Sequence, residues 1–359
     1  MLSNLKISLF GESHGEAIGA TIEGLPCGVA LDLDFLRSQS ELRKPKGKIS
    51  TKRQEKDDFK IVSGFFDGYT TGSPLTILIF NENTKSRDYD PSKLRPSHAD
   101  YTAYEKYKGF QDYRGGGHFS GRITAPLVLI GAICLQILAQ KGVSVGSHIS
   151  KTMNFQDVPF AEDLNERLEQ IKTLNETYFP TICPETSAKM QEMLEICASE
   201  GDSLGGIIES CILGLEPGIG EPFWNSIESV LAHLLFSVPA VKGVEFGLGF
   251  DFVNHYGSQA NDALYVENGE IRTKTNNNGG VNGGISNGMP IMLKTMIKPT
   301  PSIYKEQQTV DFATKENITH QIHGRHDPFI AHRARVVIDS MIGIGILDLL
   351  MSKYGHDVV

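Results

Sequence analysis

Histidine and aspartate residues in three short polar clusters are the side chains best suited to acid–base chemistry in this chain. His14 follows the apolar stretch 7–10, His98 lies between an arginine and an aspartate, and Asp327 comes two residues after Arg325. Imidazole titrates near neutrality, and a carboxylate beside fixed cations stays ionised and can act as a positioned base. Each cluster is equally compatible with a structural role, as a hydrogen-bonded histidine or a salt-bridged turn.

Four histidines lie close together near the C-terminus: His320, His323, His326 and His332. Three of them have the spacing H-x-x-H-x-x-H, which could indicate a metal-binding site. Residues three and six apart drift off one helix face, and Gly324 and Pro328 favour a loop. We therefore expect no metal, and a metal hydrolase is only a distant alternative.

A run of cations interrupts a chain whose net charge is −9. Seven lysines and arginines fall within residues 43–56: Arg43, Lys44, Lys46, Lys48, Lys52, Arg53 and Lys56. Such a run is either a solvated surface or a basic loop that captures a polyanionic small molecule. A second candidate for anion or phosphate binding is the proline-stiffened segment Lys298, Pro299, Thr300, Pro301 and Ser302.

Composition and missing motifs exclude several classes of protein. A net charge of −9 argues against broad nucleic-acid binding, which needs a basic surplus. Five cysteines without a C-x-x-C pair argue against a disulfide framework or a zinc ribbon and favour a reducing cytoplasm. The chain contains no P-loop, Rossmann or G-x-S-x-G motif and no secretory signal. Its longest apolar run, 125–135, predicts a buried helix rather than a membrane span.

Apolar periodicity predicts a protein of mixed helices and strands. No clear linker divides the 359 residues, so we expect a single domain over 1–359. Residues 157–200 are polar and predict a peripheral helical insertion. Predicted helices span 32–42, 122–141, 161–173, 186–199, 224–236 and 338–353, and predicted strands span 73–80, 203–215 and 290–297.

Short internal matches indicate a duplication. Residues 11–15 resemble 201–205, and Gly24 corresponds to Gly214 at the same spacing. Further matches follow in the same order near the start of the strand 73–80 and at Arg122. These matches predict two related halves packed as one pseudo-symmetric domain. His14 then corresponds to Leu204, so the chemistry would belong to one half only.

Taken together and in order, these motifs resemble the chorismate synthase family over nearly the whole chain, from Phe10 to about Leu350. The segments that carry the resemblance are 11–15, 95–100, 112–117, 201–203, 241–245, 279–280, 283–288, 298–302 and 324–328. The resemblance implies an α+β fold, a β-α-β sandwich with a helical layer between two antiparallel sheets. It also implies a cytoplasmic homotetramer that binds neither nucleic acid nor membrane.

The implied reaction is 1,4-anti elimination of phosphate and a ring C6 proton from 5-enolpyruvylshikimate 3-phosphate, giving chorismate. Reduced FMN is required although no net redox change occurs. By resemblance, His14 protonates the departing phosphate, Ser13 supports it by hydrogen bonding, and His98 lies near the flavin and helps to set its protonation. Asp327, with flavin N5, removes the C6 proton.

The resemblance also assigns binding residues. FMN would contact His118, Phe119, Ser120, Ala240, Gly283, Lys298, Pro299, Thr300, Pro301, Ser302 and Arg325. The anionic groups of the substrate, or of NADP, would meet Arg43, Lys48, Arg53, Arg95 and Arg114. Because the chain lacks the insertions of members with their own NADPH-dependent reductase activity, an external source of reduced FMN is favoured.

The chain departs from the usual family pattern at the flavin loop, where His118 and Phe119 replace an arginine and a serine. The change removes a fixed cation and a hydroxyl, so backbone contacts to the flavin are safer expectations here than side-chain contacts. Two alternatives share the scaffold: a flavin-dependent oxidoreductase, and a non-catalytic phosphometabolite-binding protein. The joint presence of His14, His98 and Asp327 favours the enzyme.

Overall fold

A computed structural model describes residues 2–47, 49–50, 55–82, 90–322 and 326–358. Within these ranges the helices are α1 (Leu33–Arg43), α2 (Asp100–Tyr107), α3 (Thr124–Gln140), α4 (Leu164–Glu176), α5 (Pro184–Ser199), α6 (Ile227–Phe236), α7 (Gly257–Ala260) and α8 (Ala331–Tyr354). The strands are β1 (Lys6–Gly11), β2 (Ala17–Glu23), β3 (Phe59–Ser63), β4 (Phe65–Phe66), β5 (Tyr69–Thr70), β6 (Leu75–Phe80), β7 (Ser144–Thr152), β8 (Phe155–Gln156), β9 (Gly206–Leu213), β10 (Val241–Phe246), β11 (Leu264–Glu267), β12 (Glu270–Thr273), β13 (Val281–Asn282), β14 (Ile285–Ser286), β15 (Ile291–Ile297), β16 (Gln307–Asp311) and β17 (Glu316–His320).

Two larger antiparallel sheets organise the chain, in the orders β1-β2-β6-β3 and β10-β15-β9-β7-β8. Burial alternates along β6, where Leu75, Ile77 and Ile79 are fully buried. They pair with Ile22, Ala20 and Ile18 of β2, which are also buried. One face of this sheet therefore contributes to the core, as the period of two requires.

Helices α3 and α8 form the centre of the core and pack against each other. Helix α3 also contacts β2 and β6 of the first sheet and β7 of the second, whereas α8 contacts β7 and β9. Close approach of the two helices needs a glycine, because a Cβ on Gly131 would lie 2.2 Å from the Cβ of Ser340. The apolar helix segment Gly121–Gln140 is long enough to cross a membrane, but 78% of its apolar window is buried inside the protein, as in a core helix.

The order of elements repeats between the two halves of the chain. The longer elements of the first half run β1, β2, α1, β3, β6, α3, and those of the second run β7, β9, α6, β10, β15, α8. Other elements are inserted between them: β4, β5 and α2 in the first half, and β8, α4, α5, α7, β11 to β14, β16 and β17 in the second. Gly24 and Gly214 occupy matching turns, with φ of +93° and +80°. A Cβ at either position would lie 2.2 Å from a carbonyl oxygen, so both turns require glycine.

Five of the six predicted helices agree with the structure to within a few residues; the start of the sixth differs, and the short helices α2 and α7 were not predicted. Helix α8 begins at Ala331, whereas the predicted helix begins at 338. The first two turns were missed because Arg333 and Arg335 interrupt the apolar pattern there. Arg335 is 1% exposed and pairs with Asp339, so it belongs to the core despite its charge. The short helix α2 was not predicted; of its residues only Ala103 is buried, so its apolar signal is weak.

Candidate active site

A cavity of about 730 Å³ opens among loops from both halves of the chain. Its walls come from the end of α1, the loop before α2, the glycine-rich turn before α3, and the segments that precede β10, follow β15 and lead into α8. The predicted site residues that line it are Arg43, Arg95, His98, Phe119, Ser120, Ala240, Lys298, Thr300, Pro301, Ser302 and Asp327.

His98 joins two of the predicted segments. Its Nδ1 lies 3.2 Å from the carbonyl oxygen of Pro96, and its Nε2 lies 2.8 Å from Oγ of Ser302. Because a carbonyl only accepts, these partners assign the proton to Nδ1 and make Nε2 the acceptor of the Ser302 hydroxyl. Burial, reinforced by the nearby Arg95, lowers the pKa of His98 to about 4. His98 is therefore neutral at neutral pH.

His14 and Ser13 lie directly behind the glycine-rich turn. The Ser13 hydroxyl donates to the carbonyl oxygen of Gly115 at 3.0 Å, and the Ser13 amide donates to that of Gly117 at 3.1 Å. Gly115, which lines the cavity, has φ +61°, and a Cβ there would lie 2.7 Å from Nε2 of His14. Glycine thus allows the turn to close against the two polar side chains, with His14 only 7% exposed.

Asp327 pairs with Arg333, a cation that was not among the predicted site residues. Arg333, in the first turn of α8, donates from Nη1 to Asp327 Oδ1 at 2.7 Å. Its Nε donates to the carbonyl oxygen of Arg43 at 2.9 Å. One guanidinium therefore connects the predicted base to the start of the basic run.

A buried ion triad of Asp57, Arg43 and Arg122 lines the cavity. Asp57 binds Arg43 at 3.1 Å through one carboxylate oxygen and Arg122 through the other. Burial opposes ionisation of Asp57, but the two guanidiniums outweigh it and lower the pKa of Asp57. Burial also lowers the pKa of Arg43, to about 10. Asp57 and Arg122 were missed as site residues, although Arg122 stands beside the glycine-rich motif.

Four residues that line the cavity each have a buried polar atom without a hydrogen-bond partner among the described residues: Arg43 Nε, Arg122 Nη2, Thr300 Oγ1 and Gln111 Oε1. Three of these atoms belong to groups that donate hydrogen bonds. An unpaired buried donor is costly, and an anionic ligand would satisfy such donors. The residues present therefore fit a phosphate- or carboxylate-bearing molecule.

Aromatic rings form another part of the cavity lining. Tyr104 meets Phe312 edge to face at 4.4 Å between ring centroids. Phe119 is 43% exposed and its ring lies 6.1 Å from that of Tyr107. A planar apolar ring system such as a flavin fits a surface of this kind. Ala240, which also lines the cavity, is bonded to the segment that begins at Lys298: its carbonyl oxygen accepts a hydrogen bond from the Lys298 amide at 2.9 Å.

Several predicted residues do not line the cavity. Ser13 and His14 are among them, because they lie behind Gly115 rather than on the cavity surface. His118 is exposed and donates from Nδ1 to Gly11 O at 2.9 Å, and Arg114 is paired in two bonds of 2.8 Å with Asp112. Gly283 lies on the β13–β14 hairpin, and Pro299 lines a smaller neighbouring cavity of about 360 Å³. Lys48, Arg53 and Arg325 lie outside the described residues, as does His323.

The fold separates His332 from the other two described histidines of the C-terminal cluster. His320 and His326 line the cavity, whereas His332 is buried at the start of α8. Across the described ranges, no group of three histidine, cysteine, aspartate or glutamate side chains is placed to hold a metal ion.

Comparison with known proteins identifies the family of this chain. The family model described as chorismate synthase matches residues 5–351. A chorismate synthase of Dehalococcoides mccartyi is 41% identical over 352 residues, covering 96% of this chain and 94% of the relative. That of Thermococcus gammatolerans is 41% identical over 353 residues, covering 97% and 96%. A crystal structure of a chorismate synthase superposes with a TM-score of 0.77 at 26% identity and covers 99% of this chain and 94% of that one. The chain belongs to the chorismate synthase family.

Proposed function

We propose that the 730 Å³ cavity is where this chorismate synthase eliminates phosphate from 5-enolpyruvylshikimate 3-phosphate. The elimination, which forms chorismate, and the requirement for reduced FMN are those of the family. One observation carries the assignment of the site: unpaired donors on Arg43, Arg122 and Thr300 line the same cavity as His98 and Asp327.

Cationic side chains at the cavity are proposed to bind the substrate, although the protein as a whole is acidic. The substrate carries two carboxylates and a phosphate, and the Arg43 and Arg122 guanidiniums each retain an unpaired buried donor for such groups. Lys298 lines the cavity and, among the described residues, bonds a carbonyl rather than a carboxylate, at 2.9 Å from Ser97 O. Guanidinium pairs bind carboxylate and phosphate in fixed geometry.

Departure of phosphate needs a proton at the leaving oxygen. His14 is proposed as the donor, from its position behind Gly115 and next to Ser13. Ser13 is bonded to the glycine-rich turn, so it holds that turn at a fixed distance from the imidazole. General acid catalysis of this kind contributes about 10²–10⁴-fold.

Removal of the C6 proton is assigned to Asp327. Its Oδ1 accepts a hydrogen bond from Arg333 Nη1 at 2.7 Å, which fixes the position of this carboxyl group at the cavity wall. The C6–H electron pair then forms a double bond between C6 and C1, the existing C1–C2 double bond shifts to C2–C3, and the C3–O electron pair leaves with phosphate, so no electron is gained or lost overall.

Reduced FMN, when bound, supplies the electron density that assists loss of phosphate from an unactivated carbon. The aromatic rings of Phe119 and Tyr104 and the segment from Lys298 to Ser302 are proposed to hold it. Neutral His98, fixed by Ser302 and Pro96, would present an uncharged imidazole to this region.

The finer architecture is also proposed. Contacts of α3 with strands of both sheets support a β-α-β sandwich, and the repeated order of elements supports pseudo-symmetric halves within one domain, 1–359. We further propose a cytoplasmic homotetramer that obtains reduced FMN from an external reductase.

An anaerobic assay tests the function. The purified chain is mixed with 5-enolpyruvylshikimate 3-phosphate and dithionite-reduced FMN, and chorismate, phosphate and the flavin spectrum are followed. We expect many turnovers with the flavin still reduced at the end. Stoichiometric oxidation of flavin would favour an oxidoreductase, and substrate binding without turnover would favour a binding protein.

A further inference from the structure

Tyr178 connects the α4–α5 insertion to the basic run 43–56. Its hydroxyl accepts a hydrogen bond from the backbone amide of Lys46 at 2.6 Å and lies 3.2 Å from the carbonyl oxygen of the same residue. It also lies 2.9 Å from Ser50 Oγ and 3.1 Å from Nε2 of His332. A single side chain therefore bonds the basic segment at two points and the first turn of α8 at a third.

The bonds around this hydroxyl form one consistent chain. His332 Nε2 lies 2.9 Å from Ser50 Oγ. If Nε2 donates to Ser50, Ser50 donates to Tyr178, and Tyr178 donates to the Lys46 carbonyl, every hydroxyl proton is used. His332 then keeps only Nδ1, as an acceptor, without a partner among the described residues. Burial lowers the pKa of His332 to about 3, which agrees with this neutral form.

The position of Tyr178 is fixed from the protein core. Arg335, which is 1% exposed, donates from Nη2 to the carbonyl oxygens of Leu174 and Thr177, each at 3.2 Å. The backbone immediately before Tyr178 is thus tied to α8. The Tyr178 ring also packs edge to face on His332, with 5.0 Å between ring centroids.

The anchored segment borders the proposed site. Arg43, Lys44 and Pro45 line the cavity, one to three residues before the Lys46 backbone that Tyr178 holds. On the α8 side, Arg333 follows His332 directly and bonds both Asp327 and the Arg43 carbonyl. The network around Tyr178 and the anion-binding wall therefore share the same two backbone segments.

We infer that Tyr178 is a positioning residue for substrate binding: its hydroxyl holds the Lys46 backbone and the Ser50 side chain beside the first turn of α8, and so keeps the preceding residues, Arg43 to Pro45, at the cavity wall. The inference rests on the proposed site. It gives the α4–α5 insertion a part in the reaction, although the sequence suggested only a peripheral role. The chemical step does not involve Tyr178, because its hydroxyl bonds protein backbone and side chains.

Tyr178→Phe is the test, with Tyr354→Phe as the matched control. The control removes a tyrosine hydroxyl that bonds Glu216 beyond the opposite end of α8. We expect Tyr178→Phe to raise KM for 5-enolpyruvylshikimate 3-phosphate about 5- to 10-fold, the scale of one hydrogen bond, with kcat within about twofold. The Kd of reduced FMN should change little, and tryptic cleavage after Lys46 should accelerate. The control should show none of these changes.

Ser50→Ala provides a second variant, since it removes the hydrogen bonds that Ser50 makes to Tyr178 and His332, and Ser50 does not line the cavity. We expect the same rise in KM with an unchanged kcat. A KM no higher than that of the control, or a fall in kcat at constant KM, would overturn the inference. Failure of the proposed function looks different, because the unmodified chain would then show no turnover.

Discussion

At the scale of single residues, His14 and His98 differ in what fixes their imidazoles. His98 has two neutral partners, Pro96 and Ser302, and burial holds its pKa at about 4. His14 faces the glycine-rich turn next to the Ser13 hydroxyl. The fixed, neutral imidazole of His98 is consistent with the proposed hydrogen-bonding role, and the proposal that His14 donates a proton is tested separately.

Loss of the proposed acid or base should reduce turnover strongly. We expect His14→Ala and Asp327→Asn each to lower kcat by at least about 100-fold, because each removes a proton-transfer group. Anaerobic steady-state kinetics with saturating reduced FMN measures this. Asp202→Asn is a control for the aspartate change, since Asp202 pairs with Lys305 outside the main cavity. Near-full activity in either variant would refute the role of that residue.

The lowered pKa of His98 predicts a pH dependence of stability. Between pH 6.5 and about 4 the unfolded chain protonates His98 more readily than the folded chain does, so this residue destabilises the fold as pH falls through that window. Wild type should lose more free energy of unfolding between pH 7 and pH 5 than His98→Asn. Urea denaturation at both pH values measures the difference, and an equal loss in the two proteins would contradict the assigned pKa.

At the scale of elements, the glycine-rich turn packs directly against Ser13 and His14. Gly115, Gly116 and Gly117 all have positive φ, which lets this 3₁₀ segment fold against the end of β1. At Gly117 a Cβ would lie 2.0 Å from the carbonyl oxygen of Asp112, so the turn also needs glycine for close approach.

Gly115→Ala should damage the site more than the fold. Its Cβ would lie 2.6 Å from Ser13 Oγ and 2.7 Å from His14 Nε2, which must displace both. We expect kcat to fall by about 100-fold, the scale expected when a catalytic group is misplaced by about 1 Å. Gly68→Ala is the matched control: it has φ +88° and nothing within 4 Å of the new Cβ, so it incurs only the conformational cost of about 1–3 kcal/mol. Equal effects on kcat would show that backbone strain alone is responsible.

At the scale of the whole molecule, buried polar links connect the core helix α8 to distant parts of the chain. Asp348 accepts from the backbone amides of Ser3, Asn4 and Leu5, which fixes the approach to β1. Near the other end of α8, Arg335 pairs with Asp339 at 3.0 Å, and Asp339 also accepts from Ser147 of β7. Both ends of the helix are therefore joined to a sheet by polar contacts as well as by packing.

Breaking the Arg335 pair should destabilise the entire protein. Arg335→Met leaves Asp339 buried without its cation, and we expect a loss of about 3–5 kcal/mol of stability. Burial already raises the pKa of Asp339, so the orphaned carboxyl should take up a proton on folding. The double variant Arg335→Met, Asp339→Asn should recover part of the loss. Chemical denaturation of both proteins measures this, and a double variant no more stable than the single would argue against the uncompensated charge as the cause.

Local patterns in the amino-acid sequence were sufficient to predict most helices, the buried nature of α3 and the family, because periodicity and motif spacing are properties of neighbouring residues. His98 and Asp327 were identified in the same way and share one cavity. Their roles remain predictions.

Only the tertiary structure revealed the contacts that complete the site. Asp57 bridges Arg43 and Arg122, Arg333 holds Asp327, and Tyr178 binds the Lys46 backbone. No local pattern encodes these contacts, because ion pairs and hydrogen bonds between distant segments depend on how helices and sheets pack. A buried arginine and a solvated one look alike in a sequence, and the surrounding fold decides which partner each one meets.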